Sequence, residues 1–302
     1  MNEKIHFADQ VRSALDSGHP VVALESTVIA HGLPYPANLE TARSMETVIR
    51  QHGAVPATIA ILEGRLWVGV SDDVLEHLAT AKGIRKVSRR DLPVIVAQRG
   101  DGATTVAATA TIAAWAGIKI FATGGIGGVH RDPTYDVSND LPTLASTPMA
   151  IICAGAKSIL DLRATVEWLE TAGVPVIGYG TDEFPAFYSR RSGLPVDARV
   201  DSPEEAAAII RAGTAMGLPA GVLITVPVPL DDELPPDKLE AAISSALDEA
   251  QARAIEGSAS TPFLLRWLAR QTDGASLKAN IALLENNAAV AAQIAVALSE
   301  SP

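Results

Sequence analysis

The chain has 302 residues, 48% apolar and 4% aromatic, with a formal charge of −11 at pH 7. That length and apolar content suit one large α/β domain with a core of Ala, Val, Ile and Leu, and argue against disorder. The acidic balance excludes a general nucleic-acid surface, which needs clustered Lys and Arg, but leaves room for a local basic pocket that takes a small anion.

A single cysteine, Cys153, excludes an intramolecular disulfide and fits a reducing cytosol. It sits in an apolar run and reads as a small buried hydrophobe. The N-terminal segment has no apolar h-region, and no uninterrupted apolar run is long enough to span a membrane. A cytoplasmic location is the expectation.

Phe7, Val11 and Leu15 repeat with helical spacing and predict a helix over residues 5–17, stopped by Gly18-His19-Pro20. Residues 20–24 read as a buried strand that delivers Glu25. A carboxyl group there is either an acid tuned by burial for proton transfer or an edge group capping a neighbour. His31 begins a turn-rich loop, and residues 38–51 predict a helix. Strands over 57–62 and 66–70 flank Glu63-Gly64-Arg65 as a hairpin. Ser71 caps a helix to about Lys82, with Asp72 and Asp73 where the macrodipole favours acids.

Residues 86–92, KVSRRDL, form the densest basic cluster. Such runs are usually solvated and self-paired; the alternative is an anion site. Residues 93–97 predict a strand. Gly100-Asp101-Gly102-Ala103-Thr104-Thr105-Val106 then opens an Ala/Thr-rich helix to about Ala116. A glycine turn with hydroxyls at a helix start can bind an anion, although N-capping by Thr104 also explains it. No Gly-Lys-Ser/Thr follows, so it is not a Walker A loop.

Residues 119–157 concentrate the chemistry. An apolar run over 118–122 enters Gly124-Gly125-Ile126-Gly127-Gly128, whose backbone N–H groups can converge on an anion. A polar loop follows with His130, Arg131, Asp132, Asp136, Ser138 and Asp140. Asp136 and Asp140 can hold a hard divalent cation with waters, or simply make Asx turns. A second apolar run, 149–153, leads to Lys157 at the start of a predicted helix over 158–172. Low solvation and the macrodipole disfavour an ammonium there, and a neutral amine can form a Schiff base; the alternative is a lysine that snorkels to water. Ligands of open α/β sheets bind beyond the carboxyl ends of strands, where these groups fall.

Further strands are predicted over 174–179 and 221–226, with a loop over 184–197 between them. Ser202 caps a helix over 203–216. Beyond the Pro-rich connection 227–236 the chain is helical over 237–256, 261–270 and 276–298. The expected architecture is a single domain over 1–302: a three-layer α/β/α sandwich with a mixed, mostly parallel sheet and a helical C-terminal portion.

The segments ALESTVIAHGLPYPANLETA, GAVPATIAILEG, KVSRRDLPVIVA, GATTVAATATIAAWAGIKIFATGGIGGVHR, YDVSNDL, CAGAKSILDL, GVPVIGYGTDEFPAF, STPFLL and SLKANIALLENN run along nearly the whole chain. In that order they resemble the pseudouridine-5′-phosphate glycosidase family, also called indigoidine synthase A-like. The glycine runs are weak signals; KVSRRDLP, ATGGIGGVHR and CAGAKSILDL are specific. The resemblance implies reversible cleavage of the C–C glycosidic bond of pseudouridine 5′-phosphate to uracil and ribose 5-phosphate, in pseudouridine catabolism. It implies a lysine imine at Lys157, a proton donor at Glu25 and a further acid–base candidate at Asp140. It implies substrate contacts at Lys86, Val106, Ser138, Asn139 and Asp140, with His130, Asn280 and Thr123 as further site positions. Thr104, Thr105 and the glycine turn are candidates for the phosphate. One Mn²⁺ at Asp136 and a homotrimer are implied as well. The loop between His130 and Asp136 is shorter than the family pattern, and no fused sugar kinase is expected.

The chemistry agrees with this resemblance. A C–C bond to uracil has no leaving oxygen or nitrogen to protonate, so two-carboxylate glycoside hydrolysis fits poorly. An imine at the anomeric carbon opens the ribose and supplies an electron sink, and a carboxylic acid protonates the uracil carbon as the bond breaks. Two other readings compete. One is a sugar-phosphate lyase or aldolase with a different aglycone. The other is a non-catalytic phosphosugar-binding regulator, which has no need of Glu25 and Lys157 together.

Overall fold

The computed structural model describes residues 5–131, 136–255, 257 and 260–300. Its strands begin with β1 (Ile5–Phe7), β2 (Val21–Leu24), β3 (Val55–Leu62), β4 (Arg65–Val68), β5 (Arg85–Val87) and β6 (Gly102–Thr104). They continue with β7 (Ile120–Ala122), β8 (Val129–His130), β9 (Ala150–Cys153), β10 (Leu160–Asp161), β11 (Val176–Tyr179), β12 (Ala198–Val200) and β13 (Val222–Thr225). The helices are α1 (Asp9–Asp16), α2 (Ala37–Gln51), α3 (Asp72–Thr80), α4 (Leu92–Gln98), α5 (Val106–Ala116) and α6 (Asp140–Leu144). After them come α7 (Leu162–Thr171), α8 (Pro203–Ala215), α9 (Pro236–Ala252), α10 (Ser260–Gln271) and α11 (Ala275–Glu300).

Eleven strands form one mixed sheet in the order β1-β4-β3-β2-β7-β9-β13-β11-β12, with β6 on β3 and β5 on β6. From β3 to β12 every pairing along that order is parallel. Strands β2, β7 and β9 are buried along their whole length, as continuous apolar runs in a parallel sheet must be. Helices α2, α8 and α11 pack together, with α11 on β2, β7 and β9; α5 lies on β2, β3 and β4. The α/β architecture expected from the sequence is therefore present, with helices over the sheet and a helical C-terminal portion.

The hairpin between β3 and β4 turns through Glu63 and Gly64, at φ 50 and 72. Two left-handed residues suit the right-handed twist of paired strands. Four sequence expectations need correction. Residues 5–17 are a strand and a helix, because β1 pairs in parallel with β4 at the sheet edge; edge pairing overrides the helical spacing of Phe7. Residues 93–97 belong to helix α4, not a strand. A Ser88–Asp91 capping box precedes that helix and Arg99, left-handed at φ 53, ends it; a short apolar run cannot distinguish these outcomes. Thr104 ends β6, and it is Thr105 that caps α5, its hydroxyl accepting the Ala108 N–H. Lys157 does not open a helix: β10 intervenes, and Asp161 caps α7 by accepting the Ala164 N–H at 2.9 Å. The macrodipole argument for Lys157 falls with that. Strand β12, just beyond the predicted loop over 184–197, falls in a stretch where no element was expected. Glu256, the predicted end of α9, lies outside the described residues.

Helix α11 is long and apolar enough, by length and composition, to cross a membrane. Here it serves as a core element: Leu283, Leu284, Ala288, Ala291, Ala292 and Ile294 are buried, and Asn287 donates to the Thr123 carbonyl at 2.8 Å.

Gly155, between β9 and Lys157, has φ 84, and a Cβ there would overlap the Pro185 carbonyl oxygen. Gly155→Ala is expected to cost at least about 2 kcal/mol. Thermal unfolding should show Tm lowered by at least about 4 °C, whereas Gly173→Ala, also at positive φ but with open space around it, should cost less.

Candidate active site

A cavity of about 430 Å³ lies beyond the carboxyl ends of β2, β7 and β9. Each strand delivers a functional group to it. Glu25 follows β2, the glycine turn follows β7, and Lys157 follows β9. Lys86, Thr105, Val106, His130, Asp136, Ser138, Asn139, Asp140 and Asn280 also line the cavity. Two predicted residues do not. Thr104 is fully buried, and its hydroxyl donates to the Ile59 carbonyl at 2.8 Å. Thr123 stands behind Glu25, its hydroxyl donating to Oε1 at 2.5 Å.

Glu25 is held from both sides, since Oε2 accepts the Thr27 hydroxyl. Lys157 Nζ donates to the Gly125 carbonyl at 2.5 Å, and its backbone N–H to the Ile126 carbonyl at 3.1 Å. The glycine turn therefore orients the lysine through carbonyl oxygens. Its Gly127 N–H faces not an open anion site but Asp140 Oδ2, at 2.8 Å. Asp140 Oδ1 accepts the Ala107 N–H, in the first turn of α5, at 2.9 Å. The sequence suggested two anion sites here, and the chain's own carboxylate fills part of each. A charged acceptor at a helix start gains from the macrodipole as well as the hydrogen bond. Gly127 must lack a side chain, because a Cβ would overlap the Ser138 side chain and meet Asp140 Oδ2 at 2.9 Å.

Lys86 is the electrostatic outlier. Burial, then the neighbouring Lys157 ammonium, lowers its pKa from 10.5, against a partial rise from Asp140 and Glu25. Two amines and two carboxylates thus share one small volume. The sequence suggested a solvated loop at KVSRRDL. Strand β5 instead carries Lys86 inward, while Arg89 turns out to Ser146 at 2.8 Å. Cys153 is fully buried, and burial pushes its thiol up to about 12, which leaves no reactive thiolate.

Asp136 lines the cavity with Oδ2 3.9 Å from His130 Nε2. Among the described residues no group of three or more His, Cys, Asp or Glu side chains is arranged to hold a metal. This donor set fits a hard ion held by one carboxylate and completed by water, not a closed protein cage. Asp132 and Pro133, in the shortened loop, lie outside the described residues.

Several lining residues escaped the sequence reading. Thr27 and His31 follow Glu25 closely enough to have been suspected. Phe187, Leu265 and Leu284 reach the cavity from distant segments. Apolar residues of that kind carry no local signal.

Lys86→Met should raise Tm at pH 7, because it removes a charge that folding disfavours. The sign follows from a folded-state pKa below the unfolded 10.5: the cost is full while the amine is charged in both states and vanishes above the unfolded value. Tm measured against pH should show the gain fading toward pH 10.5.

A model of the family described as "Indigoidine synthase A like protein" matches residues 10–297. A pseudouridine-5′-phosphate glycosidase of Methylobacterium nodulans is 55% identical, over 97% of this chain and 88% of the relative. One of Symbiobacterium thermophilum is also 55% identical, over 99% of each. Among solved structures, the prealnumycin C-glycosynthase AlnA in complex with ribulose 5-phosphate has a TM-score of 0.90 at 44% identity, covering 98% of this chain and 97% of its own. An indigoidine synthase A-like protein of Thermotoga maritima has a TM-score of 0.90 at 39% identity with the same coverage. Matched along its length in both sequence and fold, the chain belongs to the indigoidine synthase A-like family.

Proposed function

We propose that the chain is a pseudouridine-5′-phosphate glycosidase, reversibly cleaving the C–C glycosidic bond to give uracil and ribose 5-phosphate. Full-length relatives of that name at 55% identity support the reading. The observation that carries it is that Lys157 and Glu25 line one cavity from the ends of β9 and β2, the two strands that flank β7. A phosphosugar-binding regulator has no use for that pair.

The Lys157 nitrogen attacks the anomeric carbon and displaces the ring oxygen, which takes a proton as the ribose opens. The nitrogen lone pair then drives out the uracil carbon. Glu25 takes the proton that the lysine nitrogen sheds as it attacks, and gives it to that carbon as the C–C bond breaks. Uracil leaves, and ribose 5-phosphate stays as an imine of Lys157. Water adds to the imine carbon, frees the amine and releases the aldehyde sugar. The Thr27 and Thr123 hydroxyls aim the Glu25 carboxyl. Lys86, His130, Ser138 and Asn139 are the groups available to the phosphate and sugar hydroxyls. Asp136 would hold a hydrated Mn²⁺ there, whose charge would help to orient an anionic substrate. A homotrimer in the cytoplasm belongs to the same proposal and rests on the family resemblance.

One observation favours a second reading, C-glycoside synthesis with a different aglycone: the structural likeness to AlnA, a C-glycosynthase bound to ribulose 5-phosphate. The two readings share the lysine and differ in the acceptor ring.

Borohydride reduction in the presence of ribose 5-phosphate should fix the sugar to Lys157, located by peptide mass spectrometry. Lys157→Ala should give no adduct. Glu25→Gln should keep the adduct while turnover of pseudouridine 5′-phosphate falls about 10²- to 10⁴-fold. Absence of any adduct on folded protein supplied with Mn²⁺ would remove the imine route.

A further inference from the structure

Phe187 is held in a conformation that an aromatic residue rarely adopts. Its φ is 64, in the left-handed region where a bulky side chain is strained. Of the five non-glycine residues with positive φ among the described residues, it alone lines the active-site cavity. Such strain persists where the surroundings over-determine it, and here they do. The Phe187 N–H donates to the Ala154 carbonyl at 3.1 Å, and Ala186 bridges to Gly155. On the other flank, the Leu234 N–H donates to the Tyr188 carbonyl at 2.9 Å and the Ser189 hydroxyl to the Leu234 carbonyl at 3.0 Å. Tyr188 packs edge-on against the Phe187 ring, with centroids 4.7 Å apart.

The ring presses on the segment that receives the lysine. A Cβ built on Gly125 would come within 2.7 Å of two Phe187 ring carbons, so the ring fills the space that a side chain would take there. The carbonyl of that same Gly125 accepts Lys157 Nζ at 2.5 Å. The next amide is fixed as well, the Ile126 N–H donating to the Gly155 carbonyl at 3.1 Å, and the Ala154 N–H donates to the Gly124 carbonyl at 2.8 Å. Three segments thus lie side by side: the glycine turn, the turn after β9, and residues 184–189. Phe187 joins all three, with its backbone on Ala154 and its ring on Gly125. A glycine has no side chain of its own to hold its peptide in place, so that contact falls to the ring.

We propose that Phe187 is a positioning residue for Lys157: its left-handed backbone sets the ring against Gly125, which fixes the carbonyl that aims the lysine nitrogen. This rests on the imine reading and adds support for the nucleophile from a distant segment. A reacting group misplaced by about 1 Å can lose a factor on the order of 10² in rate, so a contact of this kind acts on the chemical step rather than on binding.

The test measures how fast cyanoborohydride, which reduces an imine in preference to a free aldehyde, fixes ribose 5-phosphate to Lys157. Phe187→Asn removes the ring yet suits the left-handed backbone, which Asn tolerates better than most residues. At saturating sugar the adduct should form at least about tenfold more slowly, while the sugar concentration that gives half the maximal rate stays within about threefold. Gly125→Ala should slow it comparably, since its Cβ meets the ring. In the double variant the two losses should not multiply, because both break one contact. An unchanged rate in folded Phe187→Asn, a raised half-maximal concentration with the maximal rate unchanged, or losses that multiply in the double variant overturns the assignment. A measurement with the ring in place stands independent of folding of these variants. 4-Fluorophenylalanine at position 187 alone should give a ¹⁹F resonance that moves when the adduct forms, because the nitrogen held by the Gly125 carbonyl then carries the sugar. No movement overturns the proposal. Unsubstituted protein that forms no adduct sinks the imine reading and this proposal together. Unsubstituted protein that forms it no faster than Phe187→Asn sinks this proposal alone.

Discussion

Two backbone N–H groups, Ala107 at the start of α5 and Gly127 in the glycine turn, converge on the carboxylate of Asp140. The arrangement of the site depends on that convergence. Charge-assisted hydrogen bonds are about twice as strong as neutral ones, and here one carboxylate ties three segments together. The glycine turn is held against α5, and the polar loop is drawn over both. The same turn then offers the Gly125 carbonyl to the Lys157 amine. A group that resembles an acid–base catalyst in the sequence is, in the fold, first of all the clamp that shapes the lysine's surroundings.

Charge in the cavity is balanced among two amines and two carboxylates held close together. Glu25 accepts two threonine hydroxyls, and Asp140 accepts two amides. The lowered pKa of Lys86 records the result: burial and a second ammonium outweigh the two acids. An anionic substrate would supply the charge that this arrangement lacks. Repulsion between the two ammonium groups falls when a phosphate binds beside them, so the site favours an anion at some cost to the stability of the fold.

The C-terminal helices complete the cavity from the other side. Asn287 of α11 holds the Thr123 carbonyl, and with it the residue that hydrogen-bonds Glu25. Leu284 of the same helix lines the cavity, as does Leu265 of α10. The apolar helix α11 is thus both core element and wall, which explains an asparagine in a stretch otherwise apolar enough for a lipid environment.

Much was legible in the sequence because it rests on local rules. Continuous apolar runs identify β2, β7, β9 and β13, and Ser202 marks the start of α8. The strand-end positions of Glu25 and Lys157 follow from those runs, and the family follows from motifs spread over the whole chain. Other features were set by contacts between distant segments. Whether residues 93–97 became strand or helix was decided by a capping box and a left-handed Arg99, not by hydrophobicity. Thr104 and Thr123 resemble ligand hydroxyls in sequence, yet their partners are the Ile59 carbonyl and Glu25. The glycine turn and the α5 start each read as an anion site until Asp140 is seen to occupy donors of both. Lys86 looked like one charge in a solvated run, and only pairing of β5 with β6 brings it inward beside Lys157. Local sequence determines which residues can bear chemistry. Tertiary packing decides which donors are already satisfied and which charges lose their water, because both depend on neighbours far away along the chain.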